Sequence, residues 1–266
     1  MQKQSNNIHE LGNNIWNSWA DESGSIGKAY GYQVSKPITV DGKTYKSQVH
    51  YVLERLSNDS SDRRAVIDLW NVDDLGEMNL SPCCYSSIWT ITDGKLNCML
   101  VQRSADFLVG VPFNTTQYAI LTHLFARHLN VEPGQLTHVM ADAHIYCYDS
   151  HLNGAIKMVN NYRNIGFIST MITDYPGLLE AYEVNFKNDP ENAFKLLLSG
   201  LLTVDRCTLD RITNDADYMY NLIHVAKSSP KLLINSSETD FFSISASDII
   251  VDDYSYVEKI KFDVAV

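Results

Sequence analysis

Residues 81–114 read Ser81-Pro82-Cys83-Cys84-Tyr85-Ser86-Ser87-Ile88-Trp89-Thr90-Ile91-Thr92-Asp93-Gly94-Lys95-Leu96-Asn97-Cys98-Met99-Leu100-Val101-Gln102-Arg103-Ser104-Ala105-Asp106-Phe107-Leu108-Val109-Gly110-Val111-Pro112-Phe113-Asn114. Two largely apolar runs, 85–92 and 95–102, flank Asp93-Gly94. That dipeptide signals a two-residue hairpin, because both turn positions need positive φ and these residue types accept it. A hairpin here returns the chain on itself. It brings Cys83, just before the first strand, beside Arg103 and Ser104, just after the second. Asn114 reads as the N-cap of the helix that follows. Tyr118, Leu121, Phe125 and Leu129 form the apolar stripe of that helix, and Glu132-Pro133-Gly134 is expected to end it.

Outward from this stretch the pattern alternates between helix and strand. Residues 1–14 read as a frayed start. Trp16 and Trp19 share one face of a short helical turn, and residues 21–31 form a glycine-bearing loop. Val49, Val52, Leu53 and Leu56 have helical spacing. Residues 65–70 read as a strand. Residues 137–146 alternate, which predicts one strand with Asp142, His144 and Tyr146 on one face. Residues 178–184, 193–202 and 216–226 have helical character, and strand character resumes over 230–234. Residues 151–229 read as a helical insertion of three short helices between a body of residues 1–150 and its continuation over 230–266.

Composition narrows the function classes. The chain has 266 residues and a formal net charge of −11. The acidic balance argues against a general nucleic-acid binder, so an anionic ligand needs a local arginine cluster. No run of about 18 apolar residues suggests a membrane span. The polar first ten residues do not read as a secretory signal. Five cysteines, Cys83, Cys84, Cys98, Cys147 and Cys207, make an odd count that fits free thiols in a reducing cytoplasm. Cys83 and Cys84 are adjacent, so they are read neither as a zinc site nor as a redox pair, and no metal is expected.

Several of these residues carry chemistry. A thiolate is a soft nucleophile that adds to an electron-poor ring carbon better than a hydroxyl does. Taken alone, Cys83 reads as a structural thiol; beside Arg103, a cation that favours the thiolate, it reads as a nucleophile. Arg103 and Ser104 offer a guanidinium fork and a hydroxyl to a phosphate. Arg63 and Arg64 add two cations, although taken alone such a pair reads first as a solvated edge. The Asn114 amide has one acceptor and two donors, which match the N3–H and O4 of uracil but not the edge of cytosine. His144 and Tyr146 could reach a ribose. Trp16 and Trp19 could stack on a flat cofactor or simply pack in the core, and Asp106 could accept from a pterin amine. A pyrimidine nucleotide suits this set.

The wording resembles the thymidylate synthase family, whose core reads Pro-Cys, then Gln-Arg-Ser-x-Asp, then Gly-x-Pro-Phe-Asn. Ile15-Trp16 through Trp19-Ala20-Asp21, Asp62-Arg63-Arg64 with Trp70-Asn71-Val72, Asp142-Ala143-His144-Ile145-Tyr146 and the ending Val264-Ala265-Val266 are similar to further segments of that family. The resemblance implies an α+β homodimer packed sheet against sheet. It implies that Cys83 attacks C6 of dUMP and that 5,10-methylenetetrahydrofolate supplies the one-carbon unit, giving dTMP and dihydrofolate. Arg103 and Ser104 would bind the phosphate, with Arg63 and Arg64 reaching in from the other subunit. Asn114 would read the uracil, and His144 and Tyr146 the ribose. Asp106, Gly110, Trp16 and Trp19 would face the folate, and Val266 would close over it.

The sequence also departs from that pattern. No counterpart is found for the family's N-terminal segment, which brings a phosphate-loop arginine and a glutamate. Glu10 fits a later Leu-His-Glu-Asn loop by its spacing to Trp16, so that role is not transferred to it. Cys84 stands where a histidine usually follows the nucleophile, and Gln117 stands in place of a serine. Cys147-Tyr148-Asp149 replaces an Asn-His, and residues 151–229 are read as having no counterpart. These changes suggest a divergent, phage-encoded member. They leave two alternatives: a dUMP or dCMP hydroxymethylase of the same superfamily, and a catalytically impaired nucleotide-binding homologue. Trp16 and the family-like ending favour methylation.

Overall fold

The hairpin is present and is the centre of a four-stranded sheet. The computed structural model describes residues 7–12, 15–174, 180, 189 and 216–262. It divides into two compact units, Met1–Cys147 with Ser236–Asp248 and Asp263–Val266, and Tyr148–Asn235 with Ile249–Phe262.

In the first unit a short 3-10 turn (Asn17–Trp19) is followed by helix α1 (Tyr30–Ser35), the strand pair β1 (Ile38–Val40) and β2 (Lys43–Tyr45), and helix α2 (Gln48–Asn58). Strands β3 (Val66–Asp68), β4 (Cys84–Thr92) and β5 (Lys95–Gln102) follow, then β6 (Ala105–Asp106), helix α3 (Gly110–His128), β7 (Glu132–Met140) and β8 (Ala143–His144). The sheet order is β3-β4-β5-β7, with β5 and β7 parallel and the other pairs antiparallel. Asp93 and Gly94 both take positive φ at the β4–β5 turn. One face of the sheet is the core. Trp89, Leu96, Cys98 and Leu100 are buried there, and the Trp89 ring lies 4.7 Å from that of Phe125 on α3. The alternation of side chains across each strand produces this face.

The second unit holds a long helix, α4 (Asp149–Asp174), and helix α5 (Ala216–Lys227). An antiparallel pair follows, β9 (Lys231–Ile234) with β10 (Ile249–Asp252). Its core includes Ile168, Leu222 and Ile223. Two buried amides there are joined through a tyrosine: Asn164 donates to Tyr218 Oη (3.0 Å), which donates to Asn161 Oδ1 (2.7 Å). A β-carbon on Gly154 would stand 2.2 Å from the Phe262 ring, so only glycine lets helix and ring approach this closely.

Several expectations are corrected. Helix α3 begins at Gly110, with Val109 as its N-cap, so Asn114 lies inside the helix and is not a cap. The cause is Asp106, whose Oδ1 accepts from the backbone N–H of Leu108 and of Val109 and organises the entry earlier. Glu132-Pro133-Gly134 does not end this helix but starts β7. Residues 137–146 are not one strand: β7 stops at Met140, and β8 pairs in parallel with β6 instead. Residues 1–14 are not all frayed, since Ile8 is buried with Ile26, Ala29 and Met78. Within the expected helical insertion, residues 149–174 form one long helix that was not placed individually. The helices expected over 178–184 and 193–202 lie outside the described residues.

Candidate active site

Cys83 precedes β4, and backbone pairing pins it to the far end of β5. The N–H of Arg103 donates to the Cys83 carbonyl at 2.9 Å. The N–H of Cys83 donates to the hydroxyl of Tyr30, 53 positions away in sequence, at 2.7 Å. Just beyond, Tyr85 is the extra residue of a bulge: Cys84 pairs with Gln102 while Ser86 pairs with Val101. Such a bulge re-aims side chains at the end of a strand.

Arg103 is held by the same segment. Its Nε donates to the Pro82 carbonyl (3.1 Å) and its Nη2 to the Ser81 carbonyl (3.0 Å). Nη2 also stands 3.9 Å from Cys83 Sγ, and the guanidinium lies 5.5 Å from the centre of the Trp70 ring. A permanent cation therefore faces the sulfur. The neighbouring Cys84 is in a different situation. It is buried and its Sγ donates to Gln102 Oε1. Burial, with Cys83 adjacent, pushes its thiol up to about 12. Of two consecutive cysteines, one faces the cavity that holds Arg103 and the other is a buried thiol.

That cavity has a volume of about 560 Å³. It is lined by Cys83, Arg103, Ser104, Asp106, Gly110, Asn114, His144, Tyr146, Trp16 and Trp19. Ten of the thirteen residues singled out from the sequence are thus brought together. The Trp16 and Trp19 rings lie 5.4 Å apart, and those of His144 and Tyr146 5.0 Å apart, edge to face. Arg63 and Arg64 are not in this lining; both are exposed, with Arg64 3.7 Å from Asp62. Val266 lies outside the described residues.

Sequence reading missed several residues of the site. Tyr30 lines the cavity, and burial holds its phenol well above the ordinary range. No local signal marks it, because its contact with Cys83 is made only by the folded chain. Gln102 also lines the cavity. Its Nε2 donates to the Ser104 carbonyl (2.8 Å) and to Asn114 Oδ1 (3.2 Å), while its Oε1 meets His138 Nε2 (2.7 Å). It belongs to the quoted motif and could have been found there. Gln117, one turn after Asn114, lines this cavity and a second one of about 260 Å³ that also touches Trp16, Tyr30, Cys84 and Asn114.

Comparison with known proteins relates the whole chain to one family. A thymidylate synthase sequence model matches residues 1–266. A thymidylate synthase of Clostridium beijerinckii is 34% identical over 266 residues, covering 99% of this chain and 74% of that protein. The solved structure of thermostable thymidylate synthase A from Bacillus subtilis superposes with a TM-score of 0.64 at 26% identity, over 100% of this chain and 73% of the other. The T4 phage enzyme superposes with a TM-score of 0.51 at 28% identity, over 58% of each chain. Proteins of this kind are methyltransferases that use methylenetetrahydrofolate as co-substrate. The chain belongs to the thymidylate synthase family.

Proposed function

We propose that the 560 Å³ cavity takes dUMP and 5,10-methylenetetrahydrofolate and that Cys83 opens the reaction by adding to C6 of the uracil. The observation that carries this reading is the 3.9 Å approach of Arg103 to Cys83 Sγ, in a cavity that also presents Asn114. As the sulfur bonds to C6, the C5–C6 π electrons move onto C5 and O4, and C5 becomes the nucleophile. The folate supplies the methylene carbon for C5 and afterwards a hydride, while the C5 proton is lost and Cys83 leaves by elimination. Arg103 and Ser104 hold the phosphate; the two carbonyl bonds to Arg103 fix its fork for that purpose. Asn114 matches N3–H and O4, and His144 and Tyr146 meet the ribose. Trp16, Trp19, Asp106 and Gly110 face the folate. A pocket of this size and mixed lining suits small organic ligands.

Assembly belongs to the same reading. The sheet face opposite the core carries Val66, Ile88, Met99, Val101 and Val139 in register across four strands. Met99 and Val139 are 42% and 43% exposed. An apolar sheet face of this kind is suited to meeting its own copy in a homodimer. Arg63 and Arg64, exposed just before β3, would complete the phosphate site of the second subunit. In this reading the first unit carries the catalysis. Among the described residues four cysteines are free, in keeping with a cytoplasmic protein, and no helix is long and apolar enough to cross a membrane.

The test is a trapped adduct. Fluorine at C5 cannot leave as a proton does, so 5-fluoro-dUMP with the folate stops the reaction on the enzyme. The native protein should carry the adduct on the peptide containing Cys83, and Cys83→Ala should carry none. An adduct that persists in Cys83→Ala, or that maps to another cysteine, would overturn the assignment.

A further inference from the structure

A hydrogen-bonded chain runs behind Asn114, and its direction can be read atom by atom. A main-chain carbonyl only accepts, so Gln102 presents its amide nitrogen to Ser104 and its Oε1 to the other side. There Oε1 meets His138 Nε2 at 2.7 Å and, because an amide oxygen cannot donate, the ring must. Cys84 Sγ, kept protonated by burial, donates to the same oxygen. Burial also lowers the proton affinity of His138, which keeps the ring neutral. Its Nδ1 is then free to accept from the Thr115 hydroxyl at 3.1 Å. At the other end the second hydrogen of Gln102 Nε2 points to Asn114 Oδ1. Once Oδ1 is fixed as the acceptor of Gln102, the position of the Asn114 nitrogen is fixed as well. Neither His138 nor Thr115 lines the cavity. Both reach the chain from behind, His138 from β7 on the sheet face shared with Leu100, and Thr115 from α3.

We infer that His138 is a positioning residue: by donating to Gln102 it sets which end of the Asn114 amide faces the base, and so favours uracil over cytosine. The inference rests on the reading that Asn114 meets the base. Without the donor at position 138, the Gln102 oxygen loses its strongest partner, and the amide next to it can turn. A turned Asn114 offers its oxygen where its nitrogen stood, which is the pattern that cytosine prefers.

The test measures dissociation constants of dUMP and dCMP on the native protein, His138→Phe and Thr115→Val, the last keeping the ring but freeing its Nδ1. The preference for dUMP should fall about tenfold in His138→Phe, as expected for one unmatched buried polar contact, and less in Thr115→Val. The fall should come from weaker dUMP binding, with dCMP binding held or improved. Parallel weakening of both nucleotides, or an unchanged ratio, would overturn the inference, because a merely structural residue acts on both alike. Should His138→Phe not fold, ¹⁵N-histidine NMR of the native protein decides. The neutral ring protonated at Nε2 is expected, and a ring protonated at Nδ1 overturns the inference. A native protein without preference between the nucleotides would instead remove the base-reading role of Asn114, a failure seen before any variant is measured.

Discussion

Single residues at this site are decided by their partners. Cys83 and Cys84 are chemically identical and adjacent, yet one faces a guanidinium in a cavity and the other is a buried thiol pushed up to about 12. Strand alternation divides the two roles. Asn114 illustrates the same point. Its place inside α3 removes the capping explanation for an amide there, and its bond from Gln102 orients it towards the cavity. Asn114→Asp should therefore move the preference from dUMP towards dCMP by roughly ten- to a hundredfold, since one mismatched buried pair costs about 1–3 kcal/mol. Specificity constants for both nucleotides on both proteins would check this, with the 5-fluoro-dUMP adduct still forming. An undiminished preference for dUMP would deny Asn114 that role. At this scale the sequence was informative wherever residues lie close along the chain, as Cys83, Arg103, Ser104 and Asn114 do around one hairpin. Tyr30 and His138 were invisible, because each acts through a contact formed only after the sheet is assembled.

Elements were legible where turn chemistry or apolar period was strong. Asp93-Gly94 marked the β4–β5 hairpin, and the apolar spacing over 49–56 marked α2. The same dipeptide at Asp41-Gly42, also with positive φ at both positions, joins β1 to β2 and was passed over because its flanking strands are only three residues long. The break between β7 and β8 was missed because alternation continues through Ala141-Asp142, although the backbone there turns to pair with β6. Tertiary ties also hold elements that no periodicity describes. Buried Asp74 accepts from Gln33 Nε2 (2.9 Å), Lys36 Nζ (3.1 Å) and Lys28 Nζ (3.1 Å), joining residues 72–77 to α1 and its approach. The Gln33 hydrogen bond, followed by those of the two lysines, holds its carboxyl far below the ordinary 3.8. A depressed carboxyl adds stability that is fully present above its unfolded value and is lost as pH falls towards the folded one. Asp74→Asn should thus lower the Tm at pH 7, and its deficit should shrink as the pH drops below about 3.8. Thermal melts between pH 7 and pH 3 would show this; a deficit constant across that range would mean that the carboxylate charge is not what ties the segment.

For the molecule as a whole, the α+β class and the family were legible because chained motifs bracket one sheet, and the match extends over residues 1–266. The long helix α4 was not, since its apolar residues keep no single period and Gly154 and Gly166 interrupt the pattern. In the proposed reading the first unit gathers what a one-carbon transfer needs, since Cys83, Arg103, Asn114 and the Trp16–Trp19 pair line one cavity. Departures such as Cys84 and Gln117 leave that constellation intact, and Trp16 stays on the cavity wall, where it would shield a reactive one-carbon intermediate from water. The most direct measurement is the mass of the nucleotide formed when the intact protein is incubated with dUMP and 5,10-methylenetetrahydrofolate. The account predicts dTMP with an equal amount of dihydrofolate; 5-hydroxymethyl-dUMP with tetrahydrofolate, or no new nucleotide at all, would contradict it.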